Sequence, residues 1–434
     1  MMKCKQPCQA SSGHVIAVML ILLSAAIPSA PTLAQTSLSL NEAFLIAKSA
    51  RAELRVAAAR VDAASQRPAI VSSLDDPILS PAIDHKPVDP MMRSARSITL
   101  EQSFPLSHIR QHKRRAAEAE LEKYQAEISK TALKIYAEVA QAFFMLQERR
   151  RLREILEQQV TLAAQLSKLV ATRYGTGSAT QSDVLRLEME EARLRGRLAV
   201  VTADAHSAAA MLNASLGRAP DFPLPALDVQ TVFEDIAAPV ESDKNHSESL
   251  AAKLRFAQSQ RAELRVAQAE KRRADAEIDV MKSMYAPMAM VKVGVADTMT
   301  AGRGYMLMVG VSIPIWRERL HAGVREAKAM SNMAQADRDA MLSMIQGELA
   351  AAQEALRGAT LNYRSYRNDL LPRAERTLSP TLSEYASGRL PLSAVLETSK
   401  ALWALQEESL MAETALGVGW IRMRLALGDF GEKK

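Results

Sequence analysis

Cysteine is nearly absent. Only Cys4 and Cys8 occur among 434 residues, so no disulfide scaffold holds this fold together. Aromatic side chains are also scarce, at 4% of the chain. That shortage disfavours a compact β-sandwich, and the abundance of Ala, Leu, Glu and Arg favours long helices. Low-complexity tracts are missing, which excludes a disordered chain. The sequence also lacks a strong excess of one charge. Its 55 Lys and Arg against 49 Asp and Glu leave +6, too small and too diffuse to imply nucleic acid as a partner. There is no Gly-rich phosphate loop, no nucleophile elbow and no zinc-protease helix, and the seven histidines are scattered. The chain reads as a non-enzyme that needs no cofactor.

The N-terminus reads as an address. Lys3 and Lys5 precede an apolar stretch at 15–27, and Thr32 and Ala34 stand at −3 and −1 of a cleavage site before Gln35. This is the pattern of a secretory signal peptide over residues 1–34, too short in its apolar part to span a membrane. Cys4 and Cys8 lie ahead of that stretch, so neither is placed to become a lipidated N-terminus, and cleavage leaves a cysteine-free chain suited to an oxidising compartment. Loss of Lys3 and Lys5 takes the formal charge from +6 to +4. No later apolar run reaches the roughly 18 residues of a transmembrane helix.

What the rest of the chain has is itself, twice. Arg51-Ala-Glu-Leu-Arg-Val-Ala57 recurs as Arg261-Ala-Glu-Leu-Arg-Val-Ala267, an offset of 210. Ser103-Phe104-Pro105 matches Ser312-Ile313-Pro314 at 209, and Tyr174-Gly175-Thr176-Gly177 matches Tyr385-Ala386-Ser387-Gly388 at 211. Leu216-Gly217 matches Leu427-Gly428, again at 211. Four landmarks in one order at one offset mark a duplication: a first repeat at 35–219, a Pro- and Asp-containing connector at 220–250 and a second repeat at 251–434. The period is far longer than that of ordinary solenoid repeats.

Each repeat has the same internal order. In the first, 38–66 is helical in pattern and opens on a Ser39/Glu42 capping box. Pro68, Pro77, Pro81, Pro87 and Pro90 then forbid continued helix, so strands are expected within about 68–104. Long helices follow at 108–172 and 182–216. Along the first, Leu121, Tyr124, Ile128, Ala132, Ile135, Val139, Phe143 and Leu146 recur at steps of 3 or 4, over a length of about 100 Å at 1.5 Å per residue. The second repeat places strands at 287–315 and helices at 318–384 and 391–427, with Pro372 and Pro380 expected to kink or loosen the first of these. Val291, Val293 and Val295 alternate with Lys292 and Gly294; Leu307, Val309, Val311 and Ile313 alternate with Met308, Gly310 and Ser312. Such alternation suits a membrane barrel strand, and equally a half-buried hairpin of a soluble domain. Four strands cannot close a barrel alone, and open edges are not tolerated in lipid, so a membrane reading demands several copies.

A signal peptide followed by two repeats of helix, two strands, long helix, turn and helix resembles the TolC-type outer membrane efflux family over essentially the whole mature chain. Gln102-Ser103-Phe104-Pro105-Leu106 resembles the family's strand-to-helix junction. Arg173-Tyr174-Gly175-Thr176-Gly177 with Asp183-Val184-Leu185 resembles its first periplasmic turn. Leu371-Pro372-Arg373-Ala374 and Tyr385-Ala386-Ser387-Gly388 with Val395-Leu396-Glu397 resemble its second long helix and turn. The resemblance implies a mainly α fold with a small β part: a duplicated helix–β–β–helix–helix unit whose homotrimer forms a twelve-stranded outer membrane barrel above a hollow α-barrel of coiled-coil hairpins. It implies docking to a periplasmic adaptor and an inner-membrane pump of RND type, and passive efflux. The segments after Gln102 and around Leu371-Pro372 look most like the heavy-metal branch. A multidrug duct, a type I secretion duct, and more remotely a periplasmic adaptor or a structural coiled coil are the alternatives.

The resemblance also carries site residues. Tyr174, Gly175, Gly177 and Gly388 belong to the turns that would dock the adaptor. Asp183 and Glu397 lie just beyond them, where acids repeated around a narrow mouth attract cations; Asp183 reads equally as a helix N-terminal acid and Glu397 as a solvated one. The acid expected upstream of Glu397 aligns with Ala394. Tyr385 matches a position that helps hold the mouth shut, with Leu390 where an arginine is expected and Arg389 next to it. Arg110, Lys113, Arg114 and Arg115 follow the second strand, where they would meet lipid headgroups or simply open a solvated helix. His108 and His112 lack a third ligand. Eleven of the 21 methionines fall between Met281 and Met344; thioethers suit soft metals but also fill irregular cores and lipid-facing surfaces.

Overall fold

The computed structural model describes residues 37–85, 94–229, 246–298 and 302–429. The expected signal peptide lies outside these residues, as does most of the connector.

Ser39 starts the first helix as the capping box requires: its hydroxyl accepts from the Glu42 N–H, and the Glu42 carboxylate accepts from the Ser39 N–H at 2.9 Å. Two departures from expectation follow. The helix breaks at Arg51 into α1 (Leu40–Ala50) and α2 (Ala52–Ser72), and α2 carries Pro68 inside it instead of ending at Gln66. Pro68 removes only one N–H donor near the helix C-terminus, a loss that a half-exposed turn tolerates. Strands therefore occupy less of 68–104 than expected: β2 is Ile78–His85 and β3 is Ala95–Pro105. A three-residue strand before α1, β1 (Ser37–Ser39), pairs in parallel with β4 (Ala226–Asp228) in the connector, a pairing without a local sequence signal.

The long hairpin of the first repeat is α3 (Ile109–Gly175), a continuous helix of 67 residues, and α4 (Gln181–Ser215). The second repeat opens with α5 (His246–Gln260) and α6 (Ala262–Ser283), then β5 (Met288–Thr298) and β6 (Gly302–Ser312). Its long helix, expected over 318–384 with a kink or loosening at Pro372 and Pro380, is interrupted ahead of Pro372 and continues through Pro380. α7 (Arg317–Ser365) passes into a π-helical turn at Tyr366–Leu370 and then α8 (Leu371–Ala386). Pro372 explains the division: it cannot donate to the Asn368 carbonyl, and its ring crowds that group, so the backbone widens there. The last helix is α9 (Leu392–Leu427).

The duplication is visible in the backbone. Gly177 and Gly388 both adopt left-handed φ, +74° and +80°, and so do Gly217 and Gly428, at +72° and +74°. Each ends a helix with the paired 6→1 and 5→2 hydrogen bonds of a Schellman motif, as in Ser178 N–H to Arg173 O at 2.7 Å and Arg389 N–H to Glu384 O at 2.9 Å. The principal core gathers α1, α3, α4 and α9: Leu40 and Phe44 meet Tyr136, Val139 and Phe143, with Leu212 and Leu416 closing the cluster. Phe44 and Tyr136 pack edge to face at 5.2 Å. A Cβ at Gly417 would come 2.5 Å from the Phe144 ring, so only glycine lets α9 lie this close to α3.

Candidate functional site

Two regions stand apart from the core: a four-stranded sheet at one end of the long helices and a pair of turns at the other.

The sheet runs β2-β3-β5-β6, antiparallel throughout, and among the described residues β2 and β6 have no partner strand on their outer edges. The β3–β5 pair joins the two repeats, with Leu100 opposite Val293 and Ile98 opposite Val295. Register then sorts the side chains, because successive residues of a strand point to opposite faces. Leu79, Ile83, Ile98, Leu100, Val293 and Val295 share one face with Leu307, Val309 and Val311. That face is apolar and uncovered: Leu307 is 71% exposed and Tyr305, on the same face, 96%. The opposite face carries Ser97, Thr99, Glu101, Ser103 and Lys292, with a Lys292–Glu101 ion pair at 3.7 Å. Gly294 on that face allows close strand approach, since a Cβ there would fall 2.4 Å from the Ile98 carbonyl. Among the described residues no helix is long and apolar enough to cross a membrane; the sheet is the apolar element.

At the junction of sheet and helices the basic residues have separate roles. Arg110 donates from Nε to the Ser72 carbonyl at 2.6 Å and caps the end of α2. Arg114 pairs with Glu118 one turn on, at 2.8 Å. Lys113 joins Arg110, Arg67 and Arg273 around a cavity of about 830 Å³, and Arg115 is exposed. No group of three His, Cys, Asp or Glu able to hold a metal occurs among the described residues.

The two turns lie together. Arg173, on the last turn of α3, stacks its guanidinium over the Tyr385 ring, 4.7 Å from the centroid, and donates to the Tyr385 carbonyl. Tyr385 itself is buried, among Leu166, Val170, Leu187, Leu392 and Val395. Burial pushes its hydroxyl above the ordinary value, opposed by Arg173 and reinforced by Asp183. The residue paired with Tyr385 in the chain is therefore Arg173, whereas Arg389 is exposed and donates to Ser387 Oγ at 3.0 Å. Arg173 and Tyr385 are 212 residues apart, and nothing in local spacing could join them. Tyr174 points outward at 50% exposure.

Asp183 occupies the third position of α4 and completes a second capping box: its carboxylate accepts from Thr180 Oγ1 at 2.8 Å and from the Thr180 N–H at 3.1 Å. The equivalent turn has Pro391 and Ala394 in those places, and α9 starts without a side-chain cap. Glu397 is exposed. Between turns and core, Arg197 of α4 forks onto Glu407 of α9 at 2.6 and 2.5 Å, and Lys400 meets Glu190 at 2.8 Å, so the two hairpins are tied side by side.

No protein-family model and no curated protein sequence matches this chain. Solved structures do. CusC, studied for its folding and transmembrane channel formation, is 16% identical over 90% of this chain and 92% of its own, with a TM-score of 0.76. The outer membrane protein VceC of Vibrio cholerae is 16% identical over 90% and 96%, TM-score 0.73. The open MtrE outer membrane channel of Neisseria gonorrhoeae is 14% identical over 90% and 89%, TM-score 0.72. At such identities it is the fold that is shared: mostly helical, with a small sheet, as in these outer membrane channels.

Proposed function

We propose that this chain, built on the fold of outer membrane efflux channels, is the exit duct of a tripartite efflux system. The observation that carries the reading is the sheet. One face is apolar and uncovered, the other polar, and both edges lack partners among the described residues. In lipid an unpaired edge cannot persist, so the sheet must close with further copies. Three copies make a twelve-stranded barrel, apolar outward and polar within, the division a water-filled barrel requires. The protein then sits in the outer membrane with its helices crossing the periplasm, and it conducts without chemistry of its own.

In this reading Tyr174, Gly175, Gly177 and Gly388 present the turns to a periplasmic adaptor, and an RND-type inner-membrane pump supplies the energy. Glu397 and Asp183 lend negative potential to the mouth; Glu397 is the freer of the two, since the Asp183 carboxylate is already engaged at a helix N-terminus. Arg173 and Tyr385 hold the turns of one protomer together. Arg110, Lys113, Arg114 and Arg115, in the first two turns of α3 after the sheet, lie toward the headgroups. Heavy-metal cations are the proposed cargo, on the resemblance of the segments after Gln102 and around Leu371-Pro372.

Two measurements test this. Purified protein in mild detergent should have the mass of three chains and give discrete conductance steps in a planar bilayer; a monomer without conductance would overturn the duct. A deletion strain should be sensitised to copper, silver, zinc or cobalt and restored by complementation. Sensitisation to dyes and antibiotics alone would replace metal cargo with organic compounds.

A further inference from the structure

The methionine cluster resolves into a pattern once register is known. Met288 and Met290 on β5 and Met306 and Met308 on β6 all fall on the polar face of the sheet, the face of Glu101 and Lys292, because Met290 pairs with Gly310, Met308 with Lys292 and Met306 with Gly294. A methionine filling apolar space belongs on the other face, where valine, leucine and isoleucine are. Met290 and Met308 are diagonal neighbours across the strand pair, a separation of about 7–8 Å that long side chains bridge, and Met306 follows Met308 two residues along the same face. Met290 reaches toward β6: a Cβ at Gly310 would lie 3.0 Å from its terminal methyl carbon. Glycines beneath Met290 and Met306 leave the room these side chains use. The one cation among them, Lys292, is paired with Glu101 at 3.7 Å, so its charge is offset.

We propose that Met290 and Met308, with Met306 next along the same row, form a thioether site for a soft monovalent metal ion, copper(I) or silver(I), on the inner wall of the barrel. Met306 lies four register positions from Met290, about 13 Å along the strand, so the ion is held by Met308 with one of the other two at a time. Uncharged sulfur ligands select soft d¹⁰ ions over hard divalent cations. A site of two thioethers without an anionic ligand holds its ion weakly enough to release it, as conduction through successive sites requires. The inference rests on the duct reading, because the polar face lines a lumen only if the barrel closes.

The test uses the full-length purified protein in detergent, equilibrated with silver nitrate in chloride-free buffer and assayed for retained silver and for sulfur coordination by X-ray absorption. Wild-type protein should retain silver with sulfur neighbours, and Met290→Leu/Met306→Leu/Met308→Leu should lose it. A control, Met330→Leu/Met333→Leu/Met344→Leu on α7, should retain as much as wild type. Equal retention by the sheet variant and wild type, or loss confined to the α7 variant, would overturn the site. Leucine keeps the volume, and a trimer of normal mass shows that the variant has folded; if it has not, Met308→Leu alone, on an exposed side chain, decides by the same readout. Bilayer conductance of the wild-type protein separates the two readings. Conductance without silver binding sinks this site alone, and absence of conductance sinks the duct.

Discussion

Arg51 and Arg261 occupy the same place in the two repeats, and each organises several elements at once. Arg51 donates to Glu53 at 2.6 Å, to Glu138 on α3 at 2.9 Å and to the Ser215 carbonyl at the end of α4 at 3.2 Å. Arg261 repeats this with Glu263 at 3.1 Å, Glu348 on α7 at 2.8 Å and the Ala426 carbonyl of α9 at 3.2 Å. The Arg261 side chain is 6% exposed and that of Arg51 15%. Arg261→Ala therefore strands more desolvated partners, and each buried group left unpaired costs about 1–3 kcal/mol. Thermal unfolding in detergent should show Arg261→Ala as the more damaging change, and lysine should rescue neither, since it lacks the fork. The hydrogen bond from Arg51 also holds the Glu53 carboxyl at about 2 instead of 4.5. Its folded value is depressed, so the stability it contributes is full above 4.5 and disappears as pH falls through about 2. The gap in melting temperature between wild type and Glu53→Gln should close over that window, with solvent at this exposed carboxylate keeping it small.

The elements differ in how plainly the sequence announced them, and the difference has a physical cause. Local chemistry was legible: the Ser39/Glu42 box, the glycines that close both turns, and the alternating valines of β5 each act within a few residues. The break at Arg51 was not, because what stabilises it is the tertiary clamp to Glu138 and Ser215. Helix through Pro68 was also hidden, since proline forbids one hydrogen bond and not a whole turn. At the candidate mouth the turns, Arg173 included, were readable, but the pairing of Arg173 with Tyr385 was not, since the two lie in different repeats. The turns invite a direct test. Gly388→Ala puts a Cβ on a residue at φ +80° and should cost about 1–2 kcal/mol, whereas Gly175→Ala, with open space around it, should be almost silent; unfolding midpoints in chaotrope would separate them. Asp183→Ala removes the carboxylate half of the capping box and should cost about 0.5–2 kcal/mol. Pro372→Ala should let the π turn at Tyr366–Leu370 relax to α-helix, read as slower amide exchange through that segment.

At the scale of the whole molecule the duct reading turns on the two faces of one sheet. Leu79, Ile98, Leu100, Val293, Leu307, Val309 and Val311 on the apolar face are exposed in a single chain, and no helix among the described residues is long and apolar enough to cross a membrane. In the duct reading lipid satisfies this face, and further copies satisfy the edges. Leu307 lies at the middle of β6 (Gly302–Ser312) and is 71% exposed, which places it near the bilayer midplane in the duct reading. There an arginine on the lipid side costs about 2–4 kcal/mol in each chain, a cost that three copies would triple. Ser103, on the other face opposite Met290, would present an arginine to water. Leu307→Arg should therefore reduce the heat-resistant trimer recovered from outer membranes, while Ser103→Arg should assemble and change conductance instead. If both variants assemble equally, the apolar face does not meet lipid and the sheet belongs to a soluble assembly. If only Leu307→Arg fails, the outward face is the lipid face, and the methionines on its reverse side face the lumen.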